Sequence, residues 1–189
     1  KDISISCNAP LITVQPSTQT ICEGSNVVFR STATGIPAPL AQWQVSTDGG
    51  TVWTNISGAT KDSLKFTVAL SDNNKKYRVV WTNSDGTKNT NVATLTVNAK
   101  PSSPTVTVVN NCGNSLLTAS GFTGSLLWSN GVTTTTNTVT TAGTYTVAQT
   151  ISGCSSDAGS GVAAPKVVPV APTVTVADNC GNSVLTASN

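Results

Sequence analysis

Between Leu11 and Asn98 apolar and polar residues alternate with a period of two, in short runs separated by turn-forming residues. The runs are LITVQ (11–15), NVVFRSTA (26–33), LAQWQVS (40–46), TVWTNI (51–56), SLKFTVA (63–69), KYRVVWTN (76–83) and NVATLTVN (91–98). A period of two puts every second side chain on one face of an extended strand, and β-branched residues suit that pleated surface. Turn signals fall between the runs at Glu23-Gly24-Ser25, Ile36-Pro37-Ala38-Pro39, Asp48-Gly49-Gly50, Ser57-Gly58, Asp72-Asn73-Asn74 and Asp85-Gly86. Seven short strands spaced in this way predict an antiparallel two-sheet sandwich. No segment carries a helical period.

The second half of the chain repeats itself. Pro104–Ser120 reads PTVTVVNNCGNSLLTAS and Pro172–Ser188 reads PTVTVADNCGNSVLTAS, with 14 of 17 positions identical at an offset of 68. This is tandem duplication of a module of about 68 residues running from Pro104 to about Ala171, with the next copy begun at Pro172 and more copies expected beyond it. The expected division is 1–9 as the end of a preceding domain, 10–98 as the first sandwich, and 99–103 as a linker. Residues 104–168 form a smaller disulfide-containing repeat, and 169–189 the truncated start of another. Two linkers, Ala99 to Pro104 and Ala164 to Pro172, carry prolines that favour extended geometry.

Five cysteines occur, at 7, 22, 112, 154 and 180, none in a C-x-x-C pair. Their wide spacing in a chain with 32 Thr and 22 Ser points to structural disulfides in an oxidising compartment, against the alternative of reduced core cysteines. Cys112 has Cys154 in its own module, and that pair would close a loop contributing roughly 4 kcal/mol on the chain-entropy model. Cys180 would find its partner beyond the end of the sequence.

Charge excludes several classes of function. With 10 Lys+Arg against 8 Asp+Glu there is no basic footprint for nucleic acid and no polybasic membrane patch. After Lys100 the charged side chains are Asp157, Lys166 and Asp178 alone. The absence of His removes Ser-His-Asp and Cys-His catalysis and His metal ligands together. No apolar run reaches the ~18 residues of a membrane helix. The acids are scattered through turns, so no carboxylate pair for glycoside hydrolysis is suggested, and no glycine-rich phosphate loop opens a helix. The chain is therefore read as non-enzymatic, without cofactor or metal.

Landmarks in the first module resemble an immunoglobulin-like fold. Gly24 to Phe29 is similar to the start of strand B, Trp43 to the core tryptophan of strand C, and Asp72 with Tyr77 to the tyrosine corner before strand F. Ser31 and Val79 stand where antibody domains carry the inter-sheet cysteines, so Trp43, Phe29, Phe66 and Val79 must hold the core by packing. The fold class expected is all-β, tandem immunoglobulin-like antiparallel β-sandwiches.

In the second module, Trp128-Ser129-Asn130-Gly131, the threonine run, Thr141-Ala142-Gly143-Thr144-Tyr145-Thr146-Val147 and Gly153-Cys154 follow in an order resembling repeats of very large Bacteroidetes surface proteins, such as gliding-motility adhesins. Trp128 and Tyr145 are the expected core aromatics there. The resemblance implies type IX export, an extracellular, outer-membrane-associated location, and an adhesive stalk or multivalent attachment surface. It also implies surface polysaccharide or another extracellular ligand, and neighbouring repeats, as partners. A carbohydrate-binding module and an accessory stalk of a secreted polysaccharide-degrading enzyme are the alternatives. In such repeats a cysteine placed as Cys22 is commonly joined to one in the F–G turn, a plan that Cys112 and Cys154 match. The first module has no cysteine in its F–G turn, Asn83 to Gly86. That leaves Cys22 to pair with Cys7, or Cys7 to pair into an upstream domain.

The remaining candidates are local. Ser46-Thr47-Asp48-Gly49-Gly50-Thr51-Val52-Trp53 resembles the Asp-box hairpin, a folding device in which Asp closes the turn and Trp packs across it. Trp53 and Trp81 are the possible glycan contacts, as an aromatic platform. Asp62-Ser63-Leu64 matches a short bacterial O-glycosylation pattern at Ser63, and Asn55-Ile56-Ser57 is an N-glycosylation sequon. The threonines of 133–136 could belong to an ice-binding rank, which requires a regular array across neighbouring strands. Asp48 and Asp72-Asn73-Asn74 are too isolated for a calcium loop.

Overall fold

The computed structural model describes residues 7–188. Contacts divide the chain into two units. One runs to Pro101 and includes Ser152–Ser155; the other comprises Ser102–Ile151 and the residues from Ser156 onward.

The first unit is built from β1 (Asn8–Val14), β2 (Gln19–Cys22), β3 (Asn26–Arg30), β4 (Thr32–Ile36), β5 (Leu40–Ser46), β6 (Thr54–Asn55), β7 (Ser63–Thr67), β8 (Lys76–Asn83), β9 (Gly86–Asn89) and β10 (Ala93–Asn98). One sheet has the order β2-β10-β8-β5-β6, with β9 also on β8, while β1–β4 and β3–β7 form the opposing layer. This is the immunoglobulin-like strand order. The first strand changes sheets between Val14 and Gln19: β1 pairs antiparallel with β4, then β2 pairs parallel with β10. Pro16 lies in the crossing, where a residue without a backbone N–H ends one ladder at no cost to the other.

Burial follows the alternation. In β8, Tyr77, Val79 and Trp81 point inward, joining Val27 and Phe29 from β3, Trp43 from β5 and Leu95 and Val97 from β10. Phe29 stacks on Tyr77 with centroids 4.9 Å apart. Burying each such side chain is worth about 1.5–3 kcal/mol before entropy. Trp43 and Val79 are fully buried, whereas Phe66 is only partly so.

Ser31 occupies its cysteine-like position between β3 and β4 with no exposure. Its hydroxyl donates to the Val14 carbonyl at 2.9 Å and accepts the Trp81 indole N–H at 3.0 Å. The tyrosine-corner expectation moves to the other module. Asp72 accepts from the Ala69 N–H and from Lys75, while Tyr145 donates its hydroxyl to the Thr141 carbonyl at 3.2 Å.

Three local expectations shift. Thr51–Trp53 is turn, with strand confined to Thr54–Asn55. Gln19–Cys22 and Gly86–Asn89 are strands that the alternation did not reveal. Both are four-residue segments whose pairing on β10 and β8 supplies what their own pattern lacks. Asn8 and Ala9 belong to β1, so the first sandwich starts before residue 10. Of the rest of the proposed preceding domain, Cys7 directly precedes β1, and residues 1–6 lie outside the described residues, as does Asn189.

The second module comprises β11 (Thr105–Asn110), β12 (Ser115–Ser120), β13 (Ser125–Trp128), β14 (Thr136–Val139), β15 (Gly143–Ile151), β16 (Cys154–Ser155) and β17 (Gly159–Ala163). One sheet is β11-β12-β14; the other is β13-β15-β16, with β17 also on β15. Leu117, Ala119, Leu126, Trp128, Val139, Val147 and Ala163 form its core, with Tyr145 partly buried at the edge. Polar groups inside are fully engaged. Gln149 accepts the N–H groups of Thr123 and Gly124 at 3.0 Å and donates to the Ser102 carbonyl at 2.7 Å. Asn130 and Asn137 exchange amide hydrogen bonds at 3.1 and 2.9 Å, which fixes the Trp128–Gly131 turn.

The last described residues form a hairpin of β18 (Thr173–Asn179) and β19 (Asn182–Ser188), the second occurrence of the same opening motif. Leu117 is fully buried while its repeat counterpart Leu185 is 67% exposed, because a two-stranded ribbon has no second sheet to cover its apolar face.

Candidate functional site: a disulfide and a cleft in the first sandwich

The cysteines pair differently from the sequence-based expectation. Cys22 is bonded to Cys154, with Cα atoms 5.6 Å apart across a separation of 132 residues. This replaces both Cys112–Cys154 and Cys7–Cys22. Strand direction explains the correction. Cys112, in the turn between β11 and β12, bridges to Lys166, just past β17. β17 pairs with β15 so that Ala163 opposes Gly143, at the start of β15. Cys154 lies just past the other end of β15, which is nine residues long. At about 3.3 Å per residue that is roughly 30 Å, several times the Cα separation a disulfide allows. Cys112 and Cys180 are free and exposed.

Cys22 ends β2 opposite Asn98, the last residue of β10. The Glu23 N–H donates to the Asn98 carbonyl at 2.9 Å, and the Asn98 amide donates to the Ser152 carbonyl at 3.3 Å. Ser152 and Gly153 both have positive φ, 50° and 79°, which turns the chain so that Cys154 faces Cys22.

The proposed glycan platform does not assemble. Trp81 is 7% exposed, with its indole N–H on Ser31, so it belongs to the core. Trp53 is half-buried, donates to the Gly50 carbonyl at 3.0 Å, and has the Arg78 guanidinium 4.2 Å above its ring. Around it the Asp-box geometry is complete. Asp48 accepts the N–H groups of Thr51 and Val52 at 3.0 Å and the Ser46 hydroxyl at 2.7 Å. The Val52 N–H foremost, then the Ser46 hydroxyl, hold the Asp48 carboxyl below the usual aspartate range.

An open cleft of about 520 Å³ lies in the first sandwich, with Val45, Ile56, Phe66 and Tyr77 among the residues lining it and Lys61, Lys65 and the Lys75–Asp72 ion pair also on its walls. The Phe66 and Tyr77 rings meet at 5.6 Å. Burial, reinforced by the Asp72 charge, pushes the Tyr77 hydroxyl up to about 12. Such a cleft offers apolar contact and hydrogen bonds to a neutral or anionic group, but no nucleophile–base pair faces it. Ser63 lies at its margin, half-buried as the first residue of β7 opposite Arg30, rather than on an exposed loop. No group of three or more Cys, Asp or Glu side chains placed to hold a metal occurs among the described residues.

Thr133, Thr134, Thr135 and Thr136 are exposed. The sheet aligns Thr107, Thr118 and Thr136 in one row, but the next row is Val109, Leu116 and Thr138, so a regular threonine rank does not continue.

Residues 12–99, which span the first sandwich, match the family model described as a domain of unknown function (DUF8696). The chain is similar to Endoglucanase C of Cellulomonas fimi, at 36% identity over 89 residues, covering 47% of this chain and 8% of that protein. It therefore spans a small fraction of the enzyme's length. Solved structures with a similar arrangement include one titled for the structural basis of Dscam isoform specificity (TM-score 0.46, 18% identity, 86% of this chain and 47% of that one). Another is the Ig1-2 module of the Drosophila receptor protein tyrosine phosphatase DLAR (TM-score 0.42, 18% identity, 85% and 100%). The fold assignment rests on the strand order itself.

Proposed function

We propose that this chain is a mechanical spacer in a secreted bacterial surface protein: a row of immunoglobulin-like modules that carries adhesive contacts, or a binding tip, away from the cell. The observation that carries this reading is the Cys22–Cys154 bond. Tension applied through the two ends of the chain enters at Cys22 and leaves at Cys154 through the sulfur atoms. The residues between them, across a separation of 132, bear no load. Fully extended they would add about 450 Å at ~3.4 Å per residue, so the bond sets the reach of the spacer whether or not its cores stay folded. A disulfide-bonded chain of this kind suits an extracellular setting. Association with the outer membrane, and a part in gliding, belong to the same proposal.

The test is to stretch the chain from its two ends in an optical trap. The oxidised protein is expected to release about 450 Å less contour than the protein treated with a thiol reductant. Equal contour in both states would remove the basis of the spacer reading.

A second reading is supported by the likeness to Endoglucanase C: the same spacer within a polysaccharide-degrading enzyme, with catalysis in another domain. Retardation of the chain in gels containing soluble glucan, abolished by Phe66→Ala, would favour direct polysaccharide contact through the cleft. Unaltered mobility would leave the domain as spacer only.

A further inference from the structure

We propose that the outer edge of β7 is a docking site for an extended segment of another protein, one in which acidic side chains alternate with apolar ones. The segment adds to the sheet as a strand and seats its apolar side chains in the cleft over Phe66 and Tyr77.

β7 is the last strand of its layer: it pairs with β3, and no described strand pairs with its other side. The bonds at its two ends show which backbone groups are in use. The Asp62 carbonyl accepts the Ser31 N–H at 2.8 Å, and the Val68 N–H donates to the Ser25 carbonyl at 2.9 Å. Backbone groups alternate sides along a strand, so Leu64 and Phe66 also face β3, while Ser63, Lys65 and Thr67 turn theirs outward. These outward N–H and carbonyl groups have no partner among the described residues. An immunoglobulin-like layer can carry one more strand at this edge. Here the chain before β7 is tied to β5 instead: the Ile56 N–H donates to the Trp43 carbonyl, and the Trp43 N–H to the Ala59 carbonyl, both at 2.9 Å.

The cleft opens along the same edge. Four successive residues of β7, from Ser63 to Phe66, line it. Neighbouring side chains on a strand point to opposite faces, so a space that touches all four lies at the strand's side. The Phe66 and Tyr77 rings, 5.6 Å apart, and Val45 give it an apolar floor. Tyr77 is only 3% exposed, yet its hydroxyl makes no hydrogen bond to the described residues. No fully buried side-chain nitrogen or oxygen lacks a partner among them, so this hydroxyl reaches the open space of the cleft.

Charge selects the partner. Lys61 and Lys65 are exposed on the cleft wall with no acidic partner among the described residues, whereas Lys75 is held by Asp72. An incoming strand with Asp or Glu on its outward face pairs with both free lysines. A second copy is a poor occupant, because antiparallel pairing of β7 with itself brings lysine against lysine. A neutral polysaccharide leaves both lysines unpaired.

The test uses the full chain labelled with nitrogen-15 and a capped peptide of sequence Glu-Val-Glu-Phe-Glu-Val-Glu. In the free protein the Leu64 and Phe66 amides should exchange slowly with deuterium, and those of Ser63 and Lys65 fast. Saturating peptide should slow Ser63 and Lys65 by about tenfold, the worth of one backbone hydrogen bond. Of two peptides N-methylated at alternate residues in opposite phase, one should bind about tenfold more weakly and the other almost unchanged, since a strand presents only one edge. Lys65→Glu, which leaves every bond to β3 in place, should weaken binding about fivefold. Equal binding in both phases, equal binding of a scrambled peptide, or unchanged exchange at Ser63 and Lys65 overturns the proposal. So does protection of these two amides that grows with protein concentration alone, which assigns the edge to a second copy, or protection by soluble glucan without peptide, which assigns the cleft to sugar. The inference goes beyond the spacer reading and does not depend on it. Contour length reports one and amide exchange the other, so the two can fail separately.

Discussion

Removing the Ser31 hydroxyl should weaken the first sandwich far more than its size suggests. In Ser31→Ala the Trp81 indole N–H loses its acceptor at a site with no solvent access, and the Val14 carbonyl loses a donor where it is partly buried. An unpartnered buried polar group costs about 1–3 kcal/mol and a typical lost hydrogen bond about 0.5–1.5, so together about 2–4 kcal/mol is expected. The cavity left by one oxygen adds little. Urea unfolding of the whole chain, followed by tryptophan fluorescence, measures this. Trp43, Trp53 and Trp81 report the first sandwich, and Trp128 reports the second. The midpoint of the first transition should fall while the Trp128 transition stays in place. Trp81→Phe with Ser31→Ala should cost less than the sum of the single changes, by about 0.5–3 kcal/mol, because no N–H is then stranded. A single-variant cost below about 0.5 kcal/mol, or strict additivity, would refute the hydrogen-bond account of this position.

Gly161 faces Val106 and Val108 so closely that an added Cβ would lie 2.6 and 2.7 Å from their methyl carbons. Gly161→Val should therefore destabilise the second sandwich by about 1–3 kcal/mol or more, seen as a lower midpoint at Trp128 alone. In the Tyr145→Phe background, Tyr77 is the one remaining tyrosine of the two in the sequence, and its absorbance should titrate with a midpoint near 12. Because the folded value lies above the ordinary one of about 10, stability from the neutral phenol is complete below pH 10 and declines as pH rises toward 12. Asp48 has the opposite sign: its contribution is complete above the usual aspartate midpoint of 3.8 and is lost as pH falls through its lowered value. A carboxyl carbon titration of Asp48 by NMR with a midpoint at or above 3.8 would contradict the hairpin geometry.

Much of this molecule is legible from local pattern. The alternation in Lys76–Asn83 already assigns Tyr77, Val79 and Trp81 to one face, and all three are buried there. Trp43 and Trp128 are core residues in both readings, and the 68-residue period marks the second module before any coordinate is known. The Asp-box turn around Trp53 is likewise a short-range device, closed by hydrogen bonds among residues 46–53.

The cysteine pairing was not legible, because spacing along a chain carries no record of which strand ends meet. Cys112 and Cys154 are 42 residues apart, but β15 carries them to opposite ends of its sheet. Cys22 and Cys154, 132 residues apart, meet at 5.6 Å between Cα atoms. The part of Ser31 was hidden for a similar reason: its partners, Val14 and Trp81, lie 17 and 50 residues away. Alternation acts over a few residues and repetition is read by laying one stretch of sequence on another, so both survive in one dimension. Strand direction, sheet exchange at Pro16 and the partners of buried polar atoms arise only when distant segments close on one another.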